Sequence, residues 1–596
     1  MKALFFDQNE SSWTLFENPA SIVEARCAKD MAGLLPEIER RVREEGLFAA
    51  GFLAYESAPA FDPSLRARTP QPELSLACFG LFRESTRLAE LPVRGDSLPC
   101  RVSPFAPSIS REYYERSFDR VREYLGAGDS YQVNLSYQLE ARYSGDPFSW
   151  FAERVREKPL GYPAYLELEG YAICSLSPEL FFERQAGDAP HTLILKPMKG
   201  TVRNEEGRER ELSEFLRNDP KNRAENLMIV DMARNDAGRI ALPGSVSVPS
   251  LFQTEAYPTV IQMTSTVEAK TNAGLSAIFG ALFPCASITG APKRRSMDII
   301  AELETEPRGI YTGTLGFIRP GGTARFSVAI RTALFDAKSR IARYGVGGGI
   351  VWESKRDGEF EETLVKAAAL REEPGFYVFE SMLLEGGAFY LLGRHLERLS
   401  RSIRFFGLDR LGPNRYGYDV DDFMSELSAR LGRVARDRQN GRYKVRVTVR
   451  PEDGPGTDCE IAVEGVPPLP SDYTVALARN AVRSDDPFTG HKTSRRYFIE
   501  KALAARPDSA DLILMNERGE LTETTRGNIA VLLDGELFTP PLPCGVLSGT
   551  MRAEMIDRGR LRERVLFEDD YRSAEKIFMI NSVRGSVECR RIDVST

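Results

Sequence analysis

The sequence predicts an α+β protein built as two domains, 1–372 and 373–596. Three observations carry this expectation. A chain of 596 residues is long enough for two or more folding units at roughly 100–200 residues each. Alternating strand-like runs and amphipathic helical stretches are interleaved along its length. The stretch Arg371-Glu372-Glu373-Pro374-Gly375 breaks that pattern. A composition of 42% hydrophobic and 28% charged residues is that of an ordinary globular protein. The net charge of −7, with no basic stripe, argues against a nucleic-acid partner. No run of about 18 apolar residues exists, so no membrane span is expected. Asp7 and Glu10 come too early for a secretory signal. The eight cysteines form no CxxC, as expected of free thiols in a reducing cytoplasm. With only His191, His395 and His491, a His-ligated zinc or a Cys-His amidase triad is not expected.

In chain order, residues 1–105 read as short strands and loops, with one strand over 51–56. Ser110 is a plausible N-cap for a helix over 110–125, because Tyr113, Tyr114, Phe118, Val121 and Tyr124 recur near helical spacing. A strand follows at 131–136, and two apolar runs flank Ser177-Pro178-Glu179. Strand 193–200 leads into a turn at Lys199. Helices are expected over 209–216, 224–234 (closed by Gly238), 274–283, 294–303 and 359–370, and strands over 311–317, 326–332 and 341–349. Beyond the break come strands 376–384 and 388–392, helix 395–407, strands 443–450 and 473–478, and helix 497–505. Strands 511–515, 528–533 and 536–538, helix 549–558 and strand 576–580 complete the reading.

Two groups of residues carry chemistry. The first centres on Lys196-Pro197-Met198-Lys199-Gly200-Thr201, where Pro fixes φ and Gly frees it. A lysine pointing from there into a cleft could lose its proton and act as a nucleophile. Glu359, Glu362 and Lys366 share one helical face, which suits either a solvated salt-bridged surface or a site. The glycine run Gly345-Val346-Gly347-Gly348-Gly349 offers backbone N–H groups to an anion. Arg331, on an apolar strand, is costly unless it meets a carboxylate. Glu225 opens another helix, and carboxylates from separate helices are what Mg²⁺ uses for an anionic substrate.

In the second group Lys492, in His491-Lys492-Thr493, is either a solvated basic residue or an imine-forming amine. Glu523 is either a plain turn carboxylate or a partner for a pyridinium. Leu547-Ser548-Gly549-Thr550-Met551-Arg552 opens a helix whose free N–H groups suit a phosphate. With Arg398, these form the set that pyridoxal 5'-phosphate requires.

The motifs at 131–136, 177–179, 197–201, 224–236, 289–293, 330–332, 347–350 and 359–366, in that order, resemble the chorismate-utilising enzymes over about 1–370. The resemblance implies an α/β sandwich, with chorismate and ammonia as substrates and Mg²⁺ as cofactor. Lysine at 199, where anthranilate and isochorismate synthases generally carry alanine, marks the aminodeoxychorismate-forming branch. Carried over, Lys199 is the nucleophile on the ring and Glu179 the general acid. Glu225 and Glu362 are the metal ligands, with Glu359 acting through water. Tyr311, Arg331, the amides near Gly347 and Gly349, and Lys366 contact substrate carboxylates. Gln132 stands where water-adding relatives have a lysine base, which argues against isochorismate formation. Met198 and Asn222 depart from the usual pattern.

Residues 376–596 resemble the fold-type IV pyridoxal phosphate enzymes through Phe379-Glu380-Ser381, His395-Leu396-Glu397-Arg398-Leu399, His491-Lys492-Thr493, Glu523, Gly527-Asn528-Ile529, 547–552 and Asn581-Ser582. A two-subdomain α+β fold is implied. Lys492 becomes the Schiff-base lysine and proton shuttle, and Glu523 the partner of the pyridine nitrogen. Arg398 and the amides of Thr550 and Met551 become the phosphate ligands. Gly527 replaces a frequent serine. The family includes branched-chain and D-amino-acid aminotransferases and 4-amino-4-deoxychorismate lyase. Fusion to an aminodeoxychorismate-forming domain favours the lyase, giving 4-aminobenzoate on the folate path; an aminotransferase or a non-catalytic scaffold stays open. A separate glutamine amidotransferase subunit is the expected ammonia source, and a homodimer through the C-terminal domain is the expected assembly.

Overall fold

The computed structural model describes every residue except 9, 93–98, 157–160, 186, 188, 206, 257–259, 368–375, 411–418, 452–458, 480, 481, 496–501, 504, 505, 507 and 593–596. The break expected at 371–375, most of the helix expected over 497–505 and the last three residues of helix 359–370 lie outside the described residues. The chain divides into two compact units: 1–100, 107–140 and 146–370 in the first; 101–106, 141–145 and 371–596 in the second. Among the described residues no helix is long and apolar enough to cross a membrane.

The first unit is a sandwich of two mostly antiparallel sheets with helices outside. One sheet runs, in hydrogen-bonded order, Gly290–Ala291, Gln132–Ser144, Ile341–Ile350, Thr332–Asp336, Tyr171–Ser175, Ala164–Leu168, Lys2–Asp7, Ser12–Phe16 and Thr86–Leu88. The other runs Met198–Arg203, Val260–Thr271, His191–Lys196, Leu180–Arg184, Ala324–Val328, Thr314–Ile318, Phe48–Leu53, Ala77–Phe82 and Ser21–Ala25. Phe5, Phe16 and Ile173 from the first sheet meet Phe52, Phe82 and Phe317 from the second in the layer between them. The other face of the second sheet packs on helices Ala28–Glu44 and Leu275–Leu282.

Helix Ala28–Glu44 is not expected from the sequence, because Gly33 and Pro36 interrupt it. An interior proline costs about 3 kcal/mol. Burial of Met31, Leu34, Leu35, Ile38 and Val42, at helical spacing, offsets it at roughly 1.5–3 kcal/mol per large side chain. The strands Ser247–Ala256 and Val260–Thr271 also escape the sequence reading, since the first alternates only between half-buried and exposed. Ser110 is the N-cap as expected, its Oγ accepting the Tyr113 N–H at 3.2 Å. Gly238 does not close its helix, which runs Pro220–Gly238.

In the second unit, strands Val378–Glu385, Arg442–Val449 and Glu460–Gly465 form a small sheet backed by helices Leu392–Phe406 and Val420–Arg436. A separate eight-stranded sheet, counted over the described residues, holds Asp511–Met515, Leu521–Thr524, Asn528–Leu533 and Lys576–Asn581.

Phe279 is fully buried, with ring centroids 5.1 Å from Phe326 and 5.2 Å from Phe182. Phe279→Ala is expected to lower the stability of the first unit by about 3–5 kcal/mol, read from the denaturant midpoint of its unfolding transition.

Candidate active sites

In the first unit the site forms where strands of the two sheets face each other. The turn expected at Lys199 is instead part of strand Met198–Arg203. Strands His191–Lys196 and Met198–Arg203 both pair with Val260–Thr271, and the ladder slips between Met198 and Thr201. This is a β-bulge, a device that re-aims a side chain. Gly200 takes φ +104°, which favours glycine there. The Asn226 amide secures the bulge by donating to the Lys199 carbonyl at 3.1 Å and to the Met263 carbonyl at 3.4 Å, while accepting the Ser265 hydroxyl at 2.7 Å.

The Lys199 amine lies 3.6 Å from a Glu225 oxygen. Across the cleft, a Cβ placed on Gly349 would lie 3.2 Å from the Lys199 Nζ and 3.0 Å from the Gln132 Nε2, so the absent side chain leaves room for both. Gln132 is fully buried, and neither atom of its amide has a hydrogen-bond partner. Buried amides are nearly always satisfied, so this one points to a ligand.

Glu179 is buried and accepts the Ser287 hydroxyl at 2.9 Å. Burial pushes its carboxyl up to about 7, against the opposing pull of Ser287, the Met198 amide and Lys199. It is therefore a proton donor near neutral pH. Glu359 is held by the Ser354 hydroxyl at 2.6 Å, and burial raises its carboxyl, as does the charge of Glu362. Burial likewise pushes Glu362 up, but Lys366 at 2.8 Å outweighs it and holds that carboxyl low. Lys366 also donates to the Gly347 carbonyl at 2.9 Å.

Among the described residues no group of three or more His, Cys, Asp or Glu side chains could hold a metal, and the expectation of two ligands, Glu225 and Glu362, with Glu359 reaching through water asks for no such group. Each of these carboxylates has its own lysine or hydroxyl partner, because bare carboxylates repel. The expectation for Arg331 needs correction. Arg331 is not on a strand. It lies between Ala324–Val328 and Thr332–Asp336 at φ +50°, a backbone conformation rare outside glycine. Among the described residues no carboxylate lies within 4.0 Å of its guanidinium, whose charge acts on the buried Tyr344 hydroxyl. Tyr311 packs its ring against Gly345, where a Cβ would come within 2.1 Å of it.

Sequence reasoning missed the support beneath this cleft. Arg308 is buried and forks onto Glu304 at 2.9 and 2.7 Å. It also donates to the Ile288 and Asn134 carbonyls at 2.9 and 2.6 Å, while Glu56 accepts the Arg308 and Gly309 amides at 2.7 and 3.0 Å. This ties strand Gln132–Ser144 to the loop before Tyr311. Ser287 and Ser354 carried no signal in sequence; Asn226 lay inside a motif read only for its carboxylates.

In the second unit the Lys492 Nζ lies 4.8 Å from the centroid of the Phe379 ring. Glu523 is buried, accepting the Leu547 N–H at 3.2 Å and the Asn528 amide at 3.4 Å. Arg398 is largely committed to protein: it forks onto Glu380 at 2.7 Å twice and donates to the Ser548 carbonyl at 3.0 Å. Burial raises Glu380, but Arg398 and His395 overcome it and hold the carboxyl at about 2. That ionised carboxylate takes the His395 Nδ1–H at 2.7 Å, leaving Nε2 to accept the Thr550 hydroxyl at 3.2 Å. Thr550 and Met551 open helix Thr550–Asp557, whose Gly549 cap lets Asn528 approach; a Cβ there would lie 1.8 Å from the Asn528 Oδ1.

Residues 2–372 match the family model of the chorismate binding enzyme, and residues 377–592 that of amino-transferase class IV. The aminodeoxychorismate synthase component 1 of Klebsiella aerogenes is 41% identical over 269 residues, which cover 44% of this chain and 58% of that protein. The chain thus spans somewhat over half the length of that relative. The anthranilate synthase component 1 of Lactococcus lactis subsp. lactis (strain IL1403) is 30% identical over 352 residues, 57% of this chain and 75% of that protein. The crystal structure of anthranilate synthase component I from Streptococcus pneumoniae TIGR4 shares the fold, with a TM-score of 0.54 at 24% identity, over 60% of this chain and 92% of that one.

Glu179 titrates from 4.5 in the unfolded chain to about 7 in the folded one, so its contribution to stability is present below pH 4.5 and lost as the pH rises through about 7. A difference infrared spectrum against Glu179→Gln is expected to show a protonated carboxyl that disappears with a midpoint near pH 7.

Proposed function

The chain belongs to the chorismate binding enzyme family through residues 2–372 and carries an amino-transferase class IV domain at 377–592, and from that premise we propose that it makes 4-aminobenzoate from chorismate in two steps. The observation that carries the reading is an amine and a neutral carboxyl in one cleft: Lys199, and Glu179 pushed up to about 7. In the first step the Lys199 Nζ bonds to C2 of the ring as the C4–O bond breaks. Glu179 delivers the proton that lets the oxygen leave as water. Ammonia then bonds to C4, and the electron pair returns to Lys199 as its bond to C2 breaks.

Glu225 and Glu362 fit Mg²⁺ in chemistry: they are hard carboxylate oxygens already facing lysine cations, and this ion needs only one or two protein carboxylates alongside substrate. Glu359 would reach it through water. The ion would offset the charge of the ring carboxylate. Arg331, Tyr311 and the amides near Gly347 and Gly349 would take the enolpyruvyl carboxylate, with Lys366 as a further contact.

The residues around Lys492 fit pyridoxal phosphate. Glu523 is an oriented acceptor for the pyridine nitrogen, and the start of helix Thr550–Asp557 supplies N–H groups for the phosphate. Arg398 is a weaker candidate for the phosphate than the sequence implies, because Glu380 already takes two of its N–H groups. The cofactor, when bound, supplies an electron sink. Lys492 removes the proton from C4, the C3–O bond breaks, and pyruvate departs as the ring becomes aromatic.

The name "component 1" of the Klebsiella relative supports a separate partner that delivers ammonia. The class IV match also supports a second reading, transamination at the Lys492 site. With chorismate, Mg²⁺, ammonium and pyridoxal phosphate, the purified chain is expected to release 4-aminobenzoate, identified by mass spectrometry. Lys199→Ala should leave chorismate unconsumed, Lys492→Ala should accumulate 4-amino-4-deoxychorismate, and mixing the two variants should restore product. Glu179→Gln should slow the first step by about 10²–10⁴-fold. Release of 2-aminobenzoate, or of no aromatic amine, rejects the reading; exchange between amino acids and 2-oxoacids supports the second one.

A further inference from the structure

Strand Arg442–Val449 buries Val445, Val447 and Val449 against the helices and turns Lys444, Arg446 and Thr448 to its other face. The neighbouring strand Glu460–Gly465 places a residue opposite each. Lys444 faces Glu464, and their side chains pair at 2.7 Å. Glu460, opposite Thr448, reaches Arg450 at 2.9 Å. Arg446 faces Ala462 on one side and Ser381 on the other. Two cations of this face thus touch carboxylates, whereas among the described residues no carboxylate lies within 4.0 Å of the Arg446 guanidinium between them, and Glu464, paired with Lys444, acts on it only from further off.

Arg446 is nevertheless half-buried and held in place. Its guanidinium carbon sits 4.1 Å from the centroid of the Phe379 ring, and Nη2 donates to the Tyr377 hydroxyl at 3.3 Å. The Lys492 Nζ lies 4.8 Å from the same Phe379 centroid. The two cations are therefore no further apart than those two distances together. An aromatic face offsets a cation by only about 0.5–2 kcal/mol. A positioned, partly desolvated guanidinium with no carboxylate in contact among the described residues is the arrangement that receives a carboxylate bidentately. A para-related amine nitrogen and carboxylate carbon on a six-membered ring are about 6 Å apart, given carbon–carbon bonds of ~1.5 Å. That span lies within the upper bound that the two distances to Phe379 set on the separation of Lys492 and Arg446.

We propose that Arg446, seated on Phe379 and tied to Tyr377, is the carboxylate-recognising residue of the Lys492 site and selects amines that carry a ring carboxylate. The proposal rests on the reading of Lys492 as the amine-reacting lysine. It assigns Arg446 to binding and not to proton transfer.

The test compares the holoenzyme with Arg446→Ala and Arg446→Lys, by calorimetric titration with 4-aminobenzoate and with its neutral isostere 4-aminobenzamide. The wild type is expected to prefer the carboxylate by about 10- to 100-fold. Arg446→Ala should abolish that preference while keeping the visible cofactor band, Arg446→Lys should restore part of it, and the KM of the lyase step should rise with kcat little changed. A preference that survives in Arg446→Ala, or no preference in the wild type, overturns the proposal. A wild-type spectrum without a cofactor band, or one unchanged in Lys492→Ala, overturns the reading of Lys492 instead, and the titration still reports on Arg446.

Discussion

The grip of Asn226 on the Lys199 and Met263 carbonyls, 3.1 and 3.4 Å away, is the contact on which the N-terminal site depends. A bulge leaves backbone groups without ladder partners, and unpaired buried carbonyls are costly. Asn226 supplies donors to two of them, and the Ser265 amide supplies the Pro197 carbonyl at 3.1 Å. Asn226 itself comes from helix Pro220–Gly238, which also carries Glu225. One helix therefore fixes both the direction of the lysine and the carboxylate beside it.

Carboxylates of one residue type take opposite characters in the two units. Glu179 has a hydroxyl, an amide and the weaker pull of Lys199 against it in a dry place, so burial wins and its carboxyl rises to about 7. Glu380 is as deeply buried, but a bidentate arginine and a histidine N–H meet both its oxygens, and it falls to about 2. The first is equipped to give a proton; the second is a fixed anion that orients Arg398 and His395. Arg308 forks onto Glu304 with the same geometry, but there burial outweighs the arginine and raises the carboxyl, and the pair serves to join a strand, a loop and the residues before Tyr311. Buried pairs of this kind add little net stability but specify one arrangement, since separating the partners leaves an uncompensated charge.

Much of the fold was legible in the chain. The bounds of strands Asp511–Met515 and Asn528–Leu533 follow from their apolar runs, and the Ser110 cap from its residue type. Helix Ala28–Glu44 was hidden because its glycine and proline oppose a helix locally, and only tertiary burial outweighs them. Arg331 read as a strand residue because its neighbours are apolar, whereas its positive φ comes from a bend that composition does not encode. Arg446 lies in a strand that the sequence reading gave only by its bounds, 443–450; that Ala462 and not a carboxylate stands across from it emerges only when the next strand pairs.

By itself the sequence determined which residue types are available and in what order: lysines 199 and 492, the glutamates of two helices, a glycine-rich strand and a helix start suited to a phosphate. Those follow from local chemistry, which needs no partner from elsewhere in the chain. The tertiary structure decided which of them meet and in what ionic state. Burial and long-range partners set Glu179 high and Glu380 low, and strand pairing put Ala462 rather than a carboxylate opposite Arg446, because a charge in a folded protein is governed by neighbours that are near in space and distant along the chain.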